Sequence, residues 1–202
     1  MRNHKYCLIG IILITGLKLA NAQENLSFGL STQMQNTRLM VNASSMNVKG
    51  AFRPTSILFA EYNFWRKMSV HTGFGYTMMT QNSDAFQNDF HYLAMPLYFK
   101  HGKLKDDKKI AFKSFCGANL HYLLDAKHTY LSGEETDIMK HSRKFHWELV
   151  IGGGLEFKLT EKLSLEALTS LSLGYMLTKY NHAYMDVHNY NSGYMLNLSY
   201  KF

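Results

Sequence analysis

Cysteine and proline are nearly missing from this 202-residue chain, with two of each. Cys7 sits in a segment read below as a removable leader, which leaves Cys116 alone and excludes an internal disulfide. Cys116 reads as a small apolar strand residue, not a reactive thiol. Long hydrophobic runs are absent too. The run Cys7–Leu17 falls short of the ~20 apolar residues a membrane-spanning helix needs. The mean hydropathy is slightly negative, which excludes a helical membrane protein. Charge of one sign is also sparse. The formal net charge of +7 drops to +4 once Arg2, Lys5 and Lys18 leave with the leader. No dense Lys/Arg block occurs, so no nucleic-acid partner is expected. Aromatic residues are abundant, with 13 Tyr, 13 Phe and 2 Trp.

The leader has three parts. Arg2 and Lys5 form a basic start, the apolar run follows, and Ala20-Asn21-Ala22 is an A-x-A cleavage signature. The expected organisation is residues 1–22 as a signal peptide and residues 23–202 as one mature domain.

The last ten residues alternate strictly. Tyr194, Leu196, Leu198, Tyr200 and Phe202 fall on one face, and Gly193, Met195, Asn197, Ser199 and Lys201 on the other. One apolar face and one polar face suit lipid outside and a polar lumen inside. This strand resembles the closing strand of bacterial outer-membrane β-barrels, with Tyr200 and Phe202 as a C-terminal assembly signal for the barrel assembly machinery. Seven more period-two segments precede it: about 25–33, 56–65, 68–80, 90–101, 110–124, 144–159 and 163–177. The expected fold is an all-β, eight-stranded, antiparallel up-and-down transmembrane barrel.

Connections alternate in length. Those at 65–67, 101–109 and 160–162 are short and charged, while 34–55, 81–89, 125–143 and 178–191 are longer and more polar. Short periplasmic turns opposite long outer loops are the pattern of such barrels. Outward aromatics fall in two bands. Phe64, Phe99, Phe112, Phe157 and Tyr200 lie near the short turns, and Trp147, Tyr175 and Tyr194 towards the long loops, with Tyr76 and Tyr122 beside them. Two girdles around an aliphatic band suit two headgroup interfaces, so lipid and lipopolysaccharide are expected contacts. A soluble β-sandwich or lipocalin-like barrel would need a polar exterior.

Phe90-His91-Tyr92-Leu93-Ala94-Met95-Pro96-Leu97-Tyr98-Phe99-Lys100 resembles the "Y-L-x-I-P-L-x-x-K" strand of the PorT-like outer-membrane β-barrel proteins of the Bacteroidetes. The stretches 115–124, 152–159 and 163–166 resemble their next strand and their "G-G-G-L-E-Y" hairpin. Ala94 replaces a Glu often found there, so any role of that carboxylate is lost. The resemblance implies a barrel lineage more than an activity. One branch of the family belongs to a protein secretion system, which makes envelope or secretion proteins candidate partners.

Strand parity turns Glu61, His71, Lys100, Lys113, His121, Glu148, Glu156, Lys158, Glu166 and Lys201 inward. An eight-stranded barrel is only wide enough for its side chains to fill it. The central cluster expected from this set is Glu61, Lys113, Glu148, Glu156, Lys158 and Glu166. Pairing the sixth and seventh strands about Glu161 puts Glu156 opposite Glu166. Facing carboxylates repel, so either a cation neutralises them, with Lys113 and Lys158 as candidates, or one carboxylate holds a proton.

His128, His141, His182 and His188 read as solvated loop residues without metal-ligand spacing. Met34, Met40, Met46 and several loop tyrosines suit partner contact. The glycine runs at 73–75 and 152–154 precede no helix and are not nucleotide loops. His146 with Ser142, or His128 with Ser132, makes no nucleophile–base–acid set. The expectation is a structural or interaction protein, not an enzyme, without cofactor. A small porin-like channel and a lipid-A-modifying barrel enzyme are the alternatives.

Overall fold

The computed structural model describes residues 25–41, 51–65, 67–82, 86–102, 108–130, 132–180 and 183–201, with a few of these described in backbone only. Nine strands form one antiparallel sheet: β1 (Leu26–Val41), β2 (Ala51–Trp65), β3 (Met68–Asn82), β4 (Phe86–His101), β5 (Ile110–Tyr130), β6 (Glu135–Asp137), β7 (Phe145–Lys158), β8 (Leu163–Tyr180) and β9 (Ala183–Lys201). Each of the eight long strands pairs with its sequence neighbours, and β1 pairs with β9 from Ser27↔Lys201 to Val41↔Val187, closing the barrel. β6 is a short strand added outside this circuit on β5.

Alternation in the sequence becomes inside and outside in the barrel. Leu58, Phe74, Phe112, Ile151, Leu171 and Tyr194 stand out from the wall at 59–72% exposure. An apolar surface of that size excludes a water-facing exterior and calls for lipid. Phe112 and Tyr122 on β5, like Phe157 and Trp147 on β7, are ten positions apart. At ~3.3 Å per residue and a tilt of roughly 40°, that spacing rises ~25 Å, the height of a lipid-facing band. Phe64, Phe99, Phe112, Trp147 and Tyr194 are exposed, and Phe157 is half-buried. The side chain of Tyr175, and Phe202 altogether, lie outside the described residues.

The strands correct the expected loops. β1 runs on to Val41 and β2 begins at Ala51, with Thr37 still paired to Ala51. β5 continues past Tyr122 to Tyr130, and only residues 181–182 separate β8 from β9. Above the outer girdle the outward positions no longer face lipid. The apolar alternation therefore ends while the hydrogen-bond ladder continues.

Three local features bend the wall. Pro96 has no N–H to give, and the β3–β4 ladder is interrupted there between Thr72↔Leu97 and Gly75↔Ala94. Beside Leu124 the β4–β5 register shifts, so Leu123 and Ala126 both point inward. Gly102 has φ +115°, and its amide donates to the Lys67 carbonyl at 2.8 Å, tying two short turns together.

Candidate functional site

The inward faces stack in layers. In order along the strands from the short-turn end, β2 presents Glu61, Phe59, Ile57, Thr55 and Arg53, and β5 presents Lys113, Phe115, Asn119 and His121. β7 runs the same way with Glu156, Val150 and Glu148, whereas β1 is polar throughout with Ser31, Gln33, Gln35 and Thr37, and β9 sets Met195 between Asn197 and Asn191.

The lower layer holds three carboxylates and two lysines. Lys100 Nζ donates to Glu61 Oε2 at 2.8 Å and to Glu166 Oε2 at 2.7 Å. Lys113 Nζ lies 3.2 Å from Glu156, 3.5 Å from Glu166 and 3.7 Å from Glu61. Ser69 donates to Glu61, and Asn197 to Glu166, each at 2.7 Å. Glu156 faces Glu166 across β7–β8 as pairing about Glu161 requires, with Lys113 between them and Glu61. Lys158 is half-buried and Lys201 exposed. Both line the mouth of a cavity of about 90 Å³ that opens at the short turns, so neither sits inside the cluster. They occupy the strand ends, where the lumen has already widened to solvent.

An apolar septum lies above. Tyr98, Phe115, Val150, Leu168 and Met195 form one buried cluster, with Phe59 stacked on His71 at 4.4 Å. The Tyr98 hydroxyl donates to Asn119 Oδ1. Glycine makes room for these groups. A Cβ on Gly152 would stand 2.4 Å from the Phe115 ring and 2.3 Å from the Thr169 carbonyl. On the lipid side, a groove of about 800 Å³ between Met34, Ile151, Leu171 and Tyr194 overlies this thinned wall.

The upper layer is built on Arg53, 1% exposed. Its Nη1 donates to Glu148 Oε1 at 2.5 Å, Nη2 to His121 Nε2 at 2.6 Å and Nε to Thr77 Oγ1 at 3.1 Å. Asn189 donates to Glu148 at 2.9 Å. His146 stacks on His121 with ring centroids 4.4 Å apart. Glu148 thus belongs to this layer and not with Glu61, Glu156 and Glu166. Arg53 and His146 are the members that strand parity did not supply. Arg53 stood in a stretch read as loop, and His146 shares the parity of Glu148, which was the available signal.

An apolar lid covers the upper layer. Met79, Phe90, Tyr92, Leu123 and Ala126 pack together, and Ile138 and Met139 of the β6–β7 connection press onto them. β6 anchors this connection by pairing with Lys127–Thr129. His128 is a buried strand residue whose Nδ1 lies 2.6 Å from Asn88 Oδ1, not a solvated loop group. The side chain of His141 and that of His188, and all of His182, lie outside the described residues. The Ser142 hydroxyl donates to the Ile138 carbonyl at 3.0 Å, and Ser132 is exposed.

The structure is similar to outer membrane protein OprG from Pseudomonas aeruginosa. The two share 11% identity over 89% of this chain and 97% of that one, with a TM-score of 0.52. Neisserial surface protein A is similar too, at 13% identity over 88% of this chain and 97% of its own, with a TM-score of 0.51. At such identities the likeness is one of fold. No curated protein matches the sequence. Residues 16–177 match the outer membrane protein beta-barrel domain family, and the chain therefore belongs to that family of the bacterial outer membrane.

Proposed function

We propose that this protein is a non-conducting barrel that serves the outer membrane as a structural and interaction element. The observation that carries the reading is the filled lumen. Two charged layers, an apolar septum and an apolar lid lie in series along the axis. A pore would need an open path, and at the septum packed side chains fill the lumen, with Gln33 of β1 buried at the level of Met195. What remains for contact is the rim. The strands carry the wall well beyond the outer girdle, and the β5–β7 connection presents exposed Glu134, Glu135, Lys140 and Arg143 there. The PorT resemblance supports a secretion-accessory role as the finer form of this reading. Residues 1–22 serve in it as the export leader, and Tyr200 and Phe202 as the signal read by the barrel assembly machinery.

Crosslinking of tagged protein in native outer membranes, with crosslinked sites mapped by mass spectrometry, tests the proposal. Reproducible crosslinks from the outer rim or the periplasmic turns to envelope or secretion proteins are the expected result. Recovery of the barrel alone under the same conditions would overturn the interaction role.

A further inference from the structure

A second reading concerns the upper layer and stands independently of the role proposed above. His146-Trp147-Glu148 on one strand places His146 and Glu148 on the same inward face. The β5–β7 register sets His121 directly opposite His146. All three are buried, and one donor atom from each lies within 4.8 Å of the others. Glu148 Oε1 is 3.6 Å from His146 Nε2, and Glu148 Oε2 is 3.6 Å from His121 Nε2. Two imidazoles and a carboxylate form a ligand set for zinc-type cations, with one position left for water.

A separate observation points the same way. Among the described residues neither ring nitrogen of His146 has a hydrogen-bond partner, although the residue is only 3% exposed. The large majority of buried side-chain polar atoms in folded proteins have a hydrogen-bond partner. An imidazole with no hydrogen bond, 3.6 Å from a carboxylate, is a group ready to bind a cation. Arg53 already occupies the edge of this site through Glu148 and His121. A guanidinium only donates, so the His121 nitrogen facing it presents a lone pair, as a metal ligand must. Nε of Arg53 donates to Thr77 Oγ1, an acceptor that a metal on His121, His146 and Glu148 would leave to it.

We propose that His121, His146 and Glu148 form a lumenal site for a divalent transition metal of zinc type, with Arg53 as the resident cation that the metal displaces.

Cobalt(II) is the probe. Full-length protein is folded in detergent, stripped with chelator and titrated, with folding followed by heat-modifiable gel migration. One equivalent should give the visible absorption of four-coordinate cobalt. His146→Gln and His121→Gln should weaken binding by more than the roughly 10–100-fold typical of losing an outer-shell partner. His101→Gln, an exposed histidine at the opposite rim, should leave it unchanged. Arg53→Gln should bind cobalt more tightly, and zinc should restore the stability that this variant loses. Should a histidine variant fail to fold, the wild type still decides, because its unfolding temperature should rise with equimolar zinc. No cobalt band and no zinc shift in folded wild type would overturn the site. So would a band undiminished in both histidine variants, which would place the metal on other histidines. Unaltered affinity in Arg53→Gln would overturn the displacement.

Discussion

The two charged layers of the lumen solve the same problem with different redundancy. In the lower layer, two lysines are shared among three carboxylates, and Glu61 and Glu166 each have both Lys100 and Lys113 within 3.7 Å. In the upper layer, among the described residues, a single guanidinium faces a single carboxylate, and the two imidazoles beside them are stacked. A shared network tolerates the loss of one member, because a neighbour still holds the opposite charge. An isolated buried pair does not, because its survivor is left as an uncompensated charge. The difference separates a layer built for stability from one with coordinating capacity to spare.

The sharpest way to break this comparison is Glu148→Gln. It leaves Arg53 buried without a carboxylate and should cost about 3–5 kcal/mol, measured by urea unfolding of the barrel in lipid vesicles. Lys100→Met should cost less, roughly 2 kcal/mol, below the range for an isolated buried pair because Lys113 remains beside both glutamates. If Lys100→Met proved the more damaging of the two in the same unfolding series, the redundancy argument would fail. Gly152→Ala probes the septum between the layers. Its new methyl would meet the Phe115 ring and the Thr169 carbonyl, and overpacking of this kind costs roughly 1–2 kcal/mol. A lowered urea midpoint with unchanged slope is the expected signature. Glu156→Gln should have the smallest effect, a loss below ~1 kcal/mol. This carboxylate stands nearest the open mouth and faces Glu166, so part of its attraction to Lys113 is offset by repulsion. A larger loss would show that Lys113 depends on Glu156 alone.

The barrel was legible in the sequence because lipid imposes a strict rule on every outward position within the band. Leu58, Phe74, Ile151 and Leu196 announce their strands for that reason. The lower layer was legible by the same rule, since Glu61, Lys113, Glu156 and Glu166 alternate with those apolar neighbours. The lysines at the strand ends, Lys158 and Lys201, obey parity but lie where the lumen opens, and parity carries no depth. Arg53 and the buried state of His128 were hidden for a different reason. The segment of His128 rises above the lipid band, where outward residues such as Gln87 and Lys127 are polar, and Arg53 stands beside Pro54, a residue that reads as loop, so no alternation marks the ladder that continues there. The septum depends on cross-barrel contacts between Tyr98, Phe115 and Met195, which no single strand pattern encodes.

Single-channel recording in planar bilayers tests the central claim most directly, because a lumen closed in series, as proposed, would leave no path for ions. Wild-type barrels inserted in oriented fashion should show no stable conductance steps, and Phe59→Ala/Phe115→Ala barrels should show them if the septum is the seal. Stable ion-conducting steps from the folded wild-type protein would contradict the account.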